Sequence, residues 1–93
     1  MSAERNRSKH QIIYDILIII RKNNNRMRYT PLLRQTNISS SNFARYYKEL
    51  LEKEFVTEVV EDKTKKTVYL AEKGLRYIDK YKTFMEILRE FDL

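Results

Sequence analysis

The sequence predicts a mainly α domain with one small β-hairpin, an α+β arrangement in which two short helices, a hairpin and a last helix follow one another. Three observations predict it. Thr30-Pro31 opens a helix that must turn at Asn37, and Ser39 opens the next one two residues later. Runs rich in β-branched and aromatic residues, Phe55–Val60 and Thr67–Leu70, flank a charged tip. From about Ala71 onward, Tyr77, Tyr81, Phe84, Leu88 and Phe91 alternate four and three positions apart, the rhythm of a helix that packs against another helix.

Each element has a local cause. Residues 1–7 are polar, charged and without period, so they form a basic arm carrying Arg5 and Arg7, with Lys9 just beyond. Ser8 with Gln11 three residues on is a capping-box pattern, and Ile12, Ile13, Ile16, Leu17 and Ile20 continue at helical spacing to about Lys22. Asn23–Asn25 ends that helix, because Asn tolerates left-handed backbone. Arg26–Arg28 follows as a loop. In the next helix Thr30 is the expected cap and Pro31 the first helical residue, with Leu32 and Leu33 inward. Asn37 takes the left-handed turn, and Ser39 caps a helix from about Ser40 to Lys53 whose inner face is Phe43, Tyr47 and Leu50. The hairpin tip lacks Gly and should be a loop rather than a two-residue turn. Residues 8–70 thus make one domain, and 71–93 a C-terminal helix.

Composition bounds what this domain can be. A chain of 93 residues with 42% apolar content, one Gly and one Pro can bury one core and is not disordered. With no Cys, neither disulfides nor thiolate metal sites can form. The apolar run Ile12–Ile20 contains Asp15, is too short to span a bilayer, and is followed by RKNNN rather than a small-residue cleavage site. No membrane role, cofactor, metal or small-molecule ligand is expected. His10 is the single histidine, no Gly-rich phosphate loop exists, and no serine has a base at a recognisable spacing. An enzyme is therefore not expected. The net charge of +6 is uneven: residues 1–29 hold seven Lys/Arg against two acids, whereas 56–93 hold eight against eight. Such a surplus attracts phosphate polymers.

Ile38-Ser39-x-Ser41-x-Phe43-x-Arg45-x-Tyr47-x-x-Leu50, followed by Phe55-Val56, resembles the helix-turn-helix core of winged-helix regulators. The run Tyr69-Leu70-Ala71-Glu72-Lys73-Gly74 resembles the strand-to-helix junction of archaeal winged-helix proteins. The layout over about residues 8–93 is similar to the small archaeal winged helix-turn-helix DNA-binding proteins that dimerise through a C-terminal antiparallel coiled coil. Two positions depart from that pattern: Glu54 stands where the family has Gly, and Ala71 where it has a Thr cap.

The resemblance implies a winged helix-turn-helix with a C-terminal dimerisation helix, a homodimer binding double-stranded DNA as a transcriptional regulator or chromatin-type protein in the cytoplasm, associated with the nucleoid. It places the second helix of the helix-turn-helix in the major groove and the wing on the flanking backbone. Ser40 and Ser41 then suit phosphate at a helix start, Asn42 suits adenine, and Arg45 suits guanine or phosphate. Lys48 shares that polar face, and the Tyr46 hydroxyl reaches toward phosphate. Lys63, Lys65 and Lys66 are the wing cations, beside Glu61 and Asp62; Arg26 and Arg28 precede the first helix of the motif. Tyr77, Ile78, Tyr81, Phe84, Met85, Leu88 and Phe91 are the expected dimer interface. The alternative is a protein–protein adaptor without DNA contact, favoured by Glu49, Glu52 and Glu54 on the flank of the same helix.

Overall fold

The computed structural model describes residues 7–93. Four helices and three strands run in the order α1 (Lys9–Lys22), β1 (Arg26–Arg28), α2 (Tyr29–Thr36), α3 (Ser40–Glu52), β2 (Val56–Asp62), β3 (Lys65–Leu70) and α4 (Glu72–Glu90). The strands form one antiparallel sheet in the order β1-β3-β2. Ile12, Ile13, Ile16, Leu17 and Ile20 of α1 meet Leu32 of α2, Phe43, Tyr47 and Leu50 of α3, Val56 and Val68 of the sheet and Ile78 of α4 in a single core. Burial of these side chains, each contributing about 1.5–3 kcal/mol, holds the elements together.

The caps expected at α1 and α3 are present: Ser8 Oγ accepts from the Gln11 amide at 3.1 Å, and Ser39 Oγ from the Asn42 amide at 3.3 Å. Asn37 adopts φ 61, ψ 36 and turns the chain from α2 into α3. Helix α2 departs from expectation. It begins at Tyr29 with Arg28 at its cap position, no side chain caps it, and Thr30 and Pro31 lie within its first turn. Pro31 remains tolerated because a first-turn amide has no partner inside the helix.

Residues 26–28 are a strand rather than a loop. Arg26, Met27 and Arg28 pair with Tyr69, Val68 and Thr67, and the Leu70 amide donates to Asn25 O at 2.9 Å. A three-residue strand has no period of its own, so only its long-range pairing defines it. The wing tip also differs from expectation. Asp62 pairs with Lys65, which leaves Lys63 and Thr64 as a two-residue connection, and the register shifts between Val60 and Asp62. Neither connecting residue has a positive φ. The Asp62 carboxylate instead accepts from the Thr64 amide at 2.8 Å and its hydroxyl at 2.9 Å. Those two bonds hold the carboxyl below its ordinary range, and the bulge at Glu61 absorbs the twist that a glycine turn would otherwise supply.

The expected arm falls, for residues 1–6, outside the described residues, Arg5 included. Arg7 is not free: its guanidinium donates to Asp15 Oδ2 at 2.7 Å and to Thr36 O at 3.2 Å, tying α1 to the carbonyl end of α2. Helix α4 is seated by aromatic contacts. Tyr81 stacks on Tyr14 with ring centroids 4.6 Å apart, Tyr77 meets Phe55 edge-on at 5.6 Å, and the Tyr77 hydroxyl donates to His10 O at 2.9 Å. The single glycine, Gly74, allows this seat. A Cβ there would lie 2.5 Å from Phe55 O and 2.7 Å from Leu70 Cδ1.

Helix α3 leaves toward the wing through Glu54, which takes φ 65 where the family pattern has Gly. The Phe55 amide donates to Leu50 O at 2.9 Å and the Glu54 amide to Leu51 O at 3.1 Å, so the exit follows the Schellman path with a side chain present. Left-handed backbone costs a non-glycine residue about 1–2 kcal/mol, and a new glycine returns part of that through unfolded-chain entropy. Glu54→Gly is therefore expected to stabilise the domain by about 0.5–1 kcal/mol, measured by chemical denaturation at fixed protein concentration. Destabilisation would mean that the Glu54 side chain holds the exit in place.

Candidate nucleic-acid interface

Helix α3 is gripped on one side only. Phe43 and Leu50 are fully buried and Tyr47 nearly so. The Tyr29 ring packs edge-on against both Phe43 and Tyr47 at 5.3 and 5.0 Å. The Tyr47 hydroxyl donates to Glu58 Oε1 on β2 at 2.6 Å, which joins the helix directly to the wing. Burial first, and then the bond to and charge of Glu58, push this hydroxyl well above the ordinary tyrosine range, so it stays a donor.

The opposite side of α3 is open. Ser40, Ser41, Asn42, Arg45 and Lys48 are all exposed, with Ala44 among them. Arg45 Nη2 donates to Asn42 Oδ1 at 2.7 Å, so these two residues form one unit, and its guanidinium lies 5.7 Å from the Tyr46 ring centroid. Tyr46 itself is half-buried against the core. Glu49 is held at 3.0 Å by Lys53 at the end of its own helix and at 3.0 Å by Lys9 of α1, and the two ammonium groups keep its carboxyl below the usual range. That pairing takes one of the three acids out of the flank expected to favour an adaptor.

The wing cations separate. Lys63 sits in the turn and Lys65 opposite Asp62, both exposed. Lys66 turns inward: its ammonium lies 4.5 Å over the Tyr29 ring, 5.6 Å from Tyr47 and 3.8 Å from Glu58 Oε1. Strand alternation explains this, since Lys66 shares its face of β3 with buried Val68. Met27 packs inward on β1, so Arg26 projects from the other face of the sheet, while Arg28 ends the strand and stands at the cap position of α2. Arg28 reaches the wing tip and the first turn of α2, where it lines a cleft with Lys66, Thr64 and Arg34. Arg26 lines a second cleft with Glu61 and Tyr69, which Arg28 also borders. Sequence reasoning passed over Arg34, although its place four residues after Thr30 puts both on one helix face.

The expected dimer residues also divide. Ile78 is core, while Tyr77 and Tyr81 seat α4 on its own domain. Their rhythm serves packing within the chain because α4 lies against α1. Beyond Tyr81 the apolar stripe is uncovered: Phe84 is 55% exposed, Met85 36%, Ile87 46% and Phe91 65%, with Leu88 half-buried beside them. Ile87 and Leu93 extend this patch beyond the residues that heptad spacing selects.

Among the described residues, no helix is long and apolar enough to cross a membrane, and no group of three or more His, Cys, Asp or Glu could hold a metal. No curated protein matches the chain. Its fold is similar to the crystal structure of Sso10a-2, a DNA-binding protein from Sulfolobus solfataricus, with a TM-score of 0.75 and 19% identity over 91% of this chain and 85% of that one. At that identity the likeness speaks for the fold. Residues 6–89 match the winged helix-turn-helix family. Helix, left-handed turn, capped helix and hairpin follow one another within the matched residues, and the chain belongs to the winged helix-turn-helix family.

Proposed function

We propose that this protein binds double-stranded DNA as a homodimer, inserting α3 into the major groove and resting the wing on the flanking backbone. The observation that carries the reading is the asymmetry of α3, locked into the core on one side and offering Ser41, Asn42, Arg45 and Lys48 on the other. Membership of the winged helix-turn-helix family, the DNA-binding description of Sso10a-2 and the net charge of +6 support it. The Asn42–Arg45 unit presents an amide and a guanidinium together, groups that pair with adenine and guanine edges. Ser40 and Ser41 lie beside the free amides of the first turn of α3, which favour a phosphate. A dimer carries two such helices to one duplex, and a role in transcription regulation or nucleoid organisation follows from binding of that kind.

The second copy docks on the far end of α4. Phe84, Ile87, Leu88 and Phe91 recur at helical spacing on a surface that no described residue covers, and α4 of a second chain presents the same stripe. Sedimentation equilibrium should give twice the chain mass for the protein and the single-chain mass for Phe84→Glu combined with Phe91→Glu, both residues being exposed enough to leave the fold intact. A monomeric parent protein would remove the dimer from the reading.

Fluorescence anisotropy with a random-sequence duplex tests DNA binding. Affinity should fall linearly with salt on logarithmic axes, each neutralised phosphate adding about 0.9 to the slope. Arg45→Ala should weaken binding about tenfold while the circular dichroism spectrum is unchanged. No binding at low salt would point instead to the adaptor role, with a protein as the partner of the same face.

A further inference from the structure

Arg28 of β1, Arg34 of α2 and Lys66 of β3 come from three separate elements and line one cleft of about 270 Å³ between the first turn of α2 and the wing tip. Among the described residues no carboxylate lines it. Convergent cations repel one another, and the fold answers only part of that repulsion. Lys66 lies 3.8 Å from Glu58, at the long end of an ion pair, and over the face of Tyr29. Arg28 lies near enough to Asp62 to help hold that carboxyl down, though the Thr64 bonds do most of it. Arg34 has no ion-pair partner among the described residues. Its position in the last turn of α2 would suit the helix dipole, but side chains on a helix lean toward the N-terminus, and Arg34 lies along the Thr30 face. Three merely solvated cations would not need three elements to bring them to one cleft.

We propose that this cleft seats one phosphate group, supplied by the backbone of bound duplex DNA, held by Arg28, Arg34 and Lys66 with the Thr30 hydroxyl as a further donor. The DNA source rests on the reading above; the affinity of the cleft for a phosphate does not. Because Lys66 also touches Tyr29 and Tyr47, a phosphate here fixes the wing against the base of α3 and so sets the register in which that helix meets the groove. A contact of this kind carries no sequence information, and its loss weakens all duplexes alike.

The test compares the salt dependence of duplex binding for the native protein, Arg34→Gln, Arg34→Lys and Lys80→Gln, the last removing an exposed charge on α4. Arg34→Gln should lower the slope by about one phosphate, a loss of roughly eightfold in affinity at 0.1 M salt, with Arg34→Lys restoring most of it. Lys80→Gln should leave the slope unchanged. All four proteins should melt alike, since Arg34 and Lys80 are exposed. An Arg34→Gln slope equal to that of the native protein overturns the proposal while leaving DNA binding by α3 intact. If no duplex binds at all, titration with inorganic phosphate followed by amide NMR shifts decides. Shifts at Thr30 and Thr64 that Arg34→Gln abolishes uphold a phosphate cleft filled from solution, and their absence overturns it.

Discussion

The hydrogen bond from Tyr47 to Glu58 joins the two parts of this molecule that its proposed function uses together. A helix of 13 residues can offer one face to a partner only if its other face is held, and Phe43, Tyr47 and Leu50 hold α3 by burial. Burial alone fixes depth but leaves rotation and tilt to packing. The directed bond to β2 at 2.6 Å, with Tyr29 wedged edge-on between Phe43 and Tyr47, removes that freedom and ties the helix to the wing. Lys66 closes the same group from β3, set between the two tyrosine rings and the Glu58 carboxylate. The exposed ends of α3 and the hairpin therefore form one rigid pair, which is the condition for reading a groove and its backbone at once.

The chain reverses direction with almost no glycine. Asn24, Asn25, Asn37, Glu54 and Asp92 all take positive φ, and the one glycine does not. Three helices, α1, α3 and α4, end with the paired bonds of the Schellman motif, made by asparagine, glutamate and aspartate. Gly74 is used instead where α4 crosses Phe55 O, a place where the missing Cβ matters for distance rather than for dihedral angle. The geometry of the exit from α3 is thus kept while the residue there departs from the family pattern.

Much of the fold was legible because its signals are local. Capping serines, Asn37 and the inward faces of α1 and α3 are set by residues within a turn of one another. What escaped the sequence is non-local. Strand β1 exists only through its pairing with β3, and the two-residue wing turn depends on Asp62 reaching Thr64 and on a bulge. The candidate site divided in the same way. The exposed side of α3 followed from helical period, whereas the inward turn of Lys66 and the convergence of Arg28 with Arg34 depend on how strands and helix are stacked. The heptad rhythm of α4 marked packing correctly but could not say against what. Tyr77, Ile78 and Tyr81 pack on their own domain, and the stripe beyond them stays exposed.

Amide chemical-shift mapping on the ¹⁵N-labelled protein with a short duplex tests the central claim most directly, because it locates the contact without altering a residue. The account predicts perturbations concentrated on Ser40–Lys48 and on the wing around Lys63–Lys66, with the α1 core and the exposed end of α4 unchanged by DNA. Perturbations confined to α4 or to α1, with α3 silent, would contradict it and would mean that the open face of α3 serves some other partner.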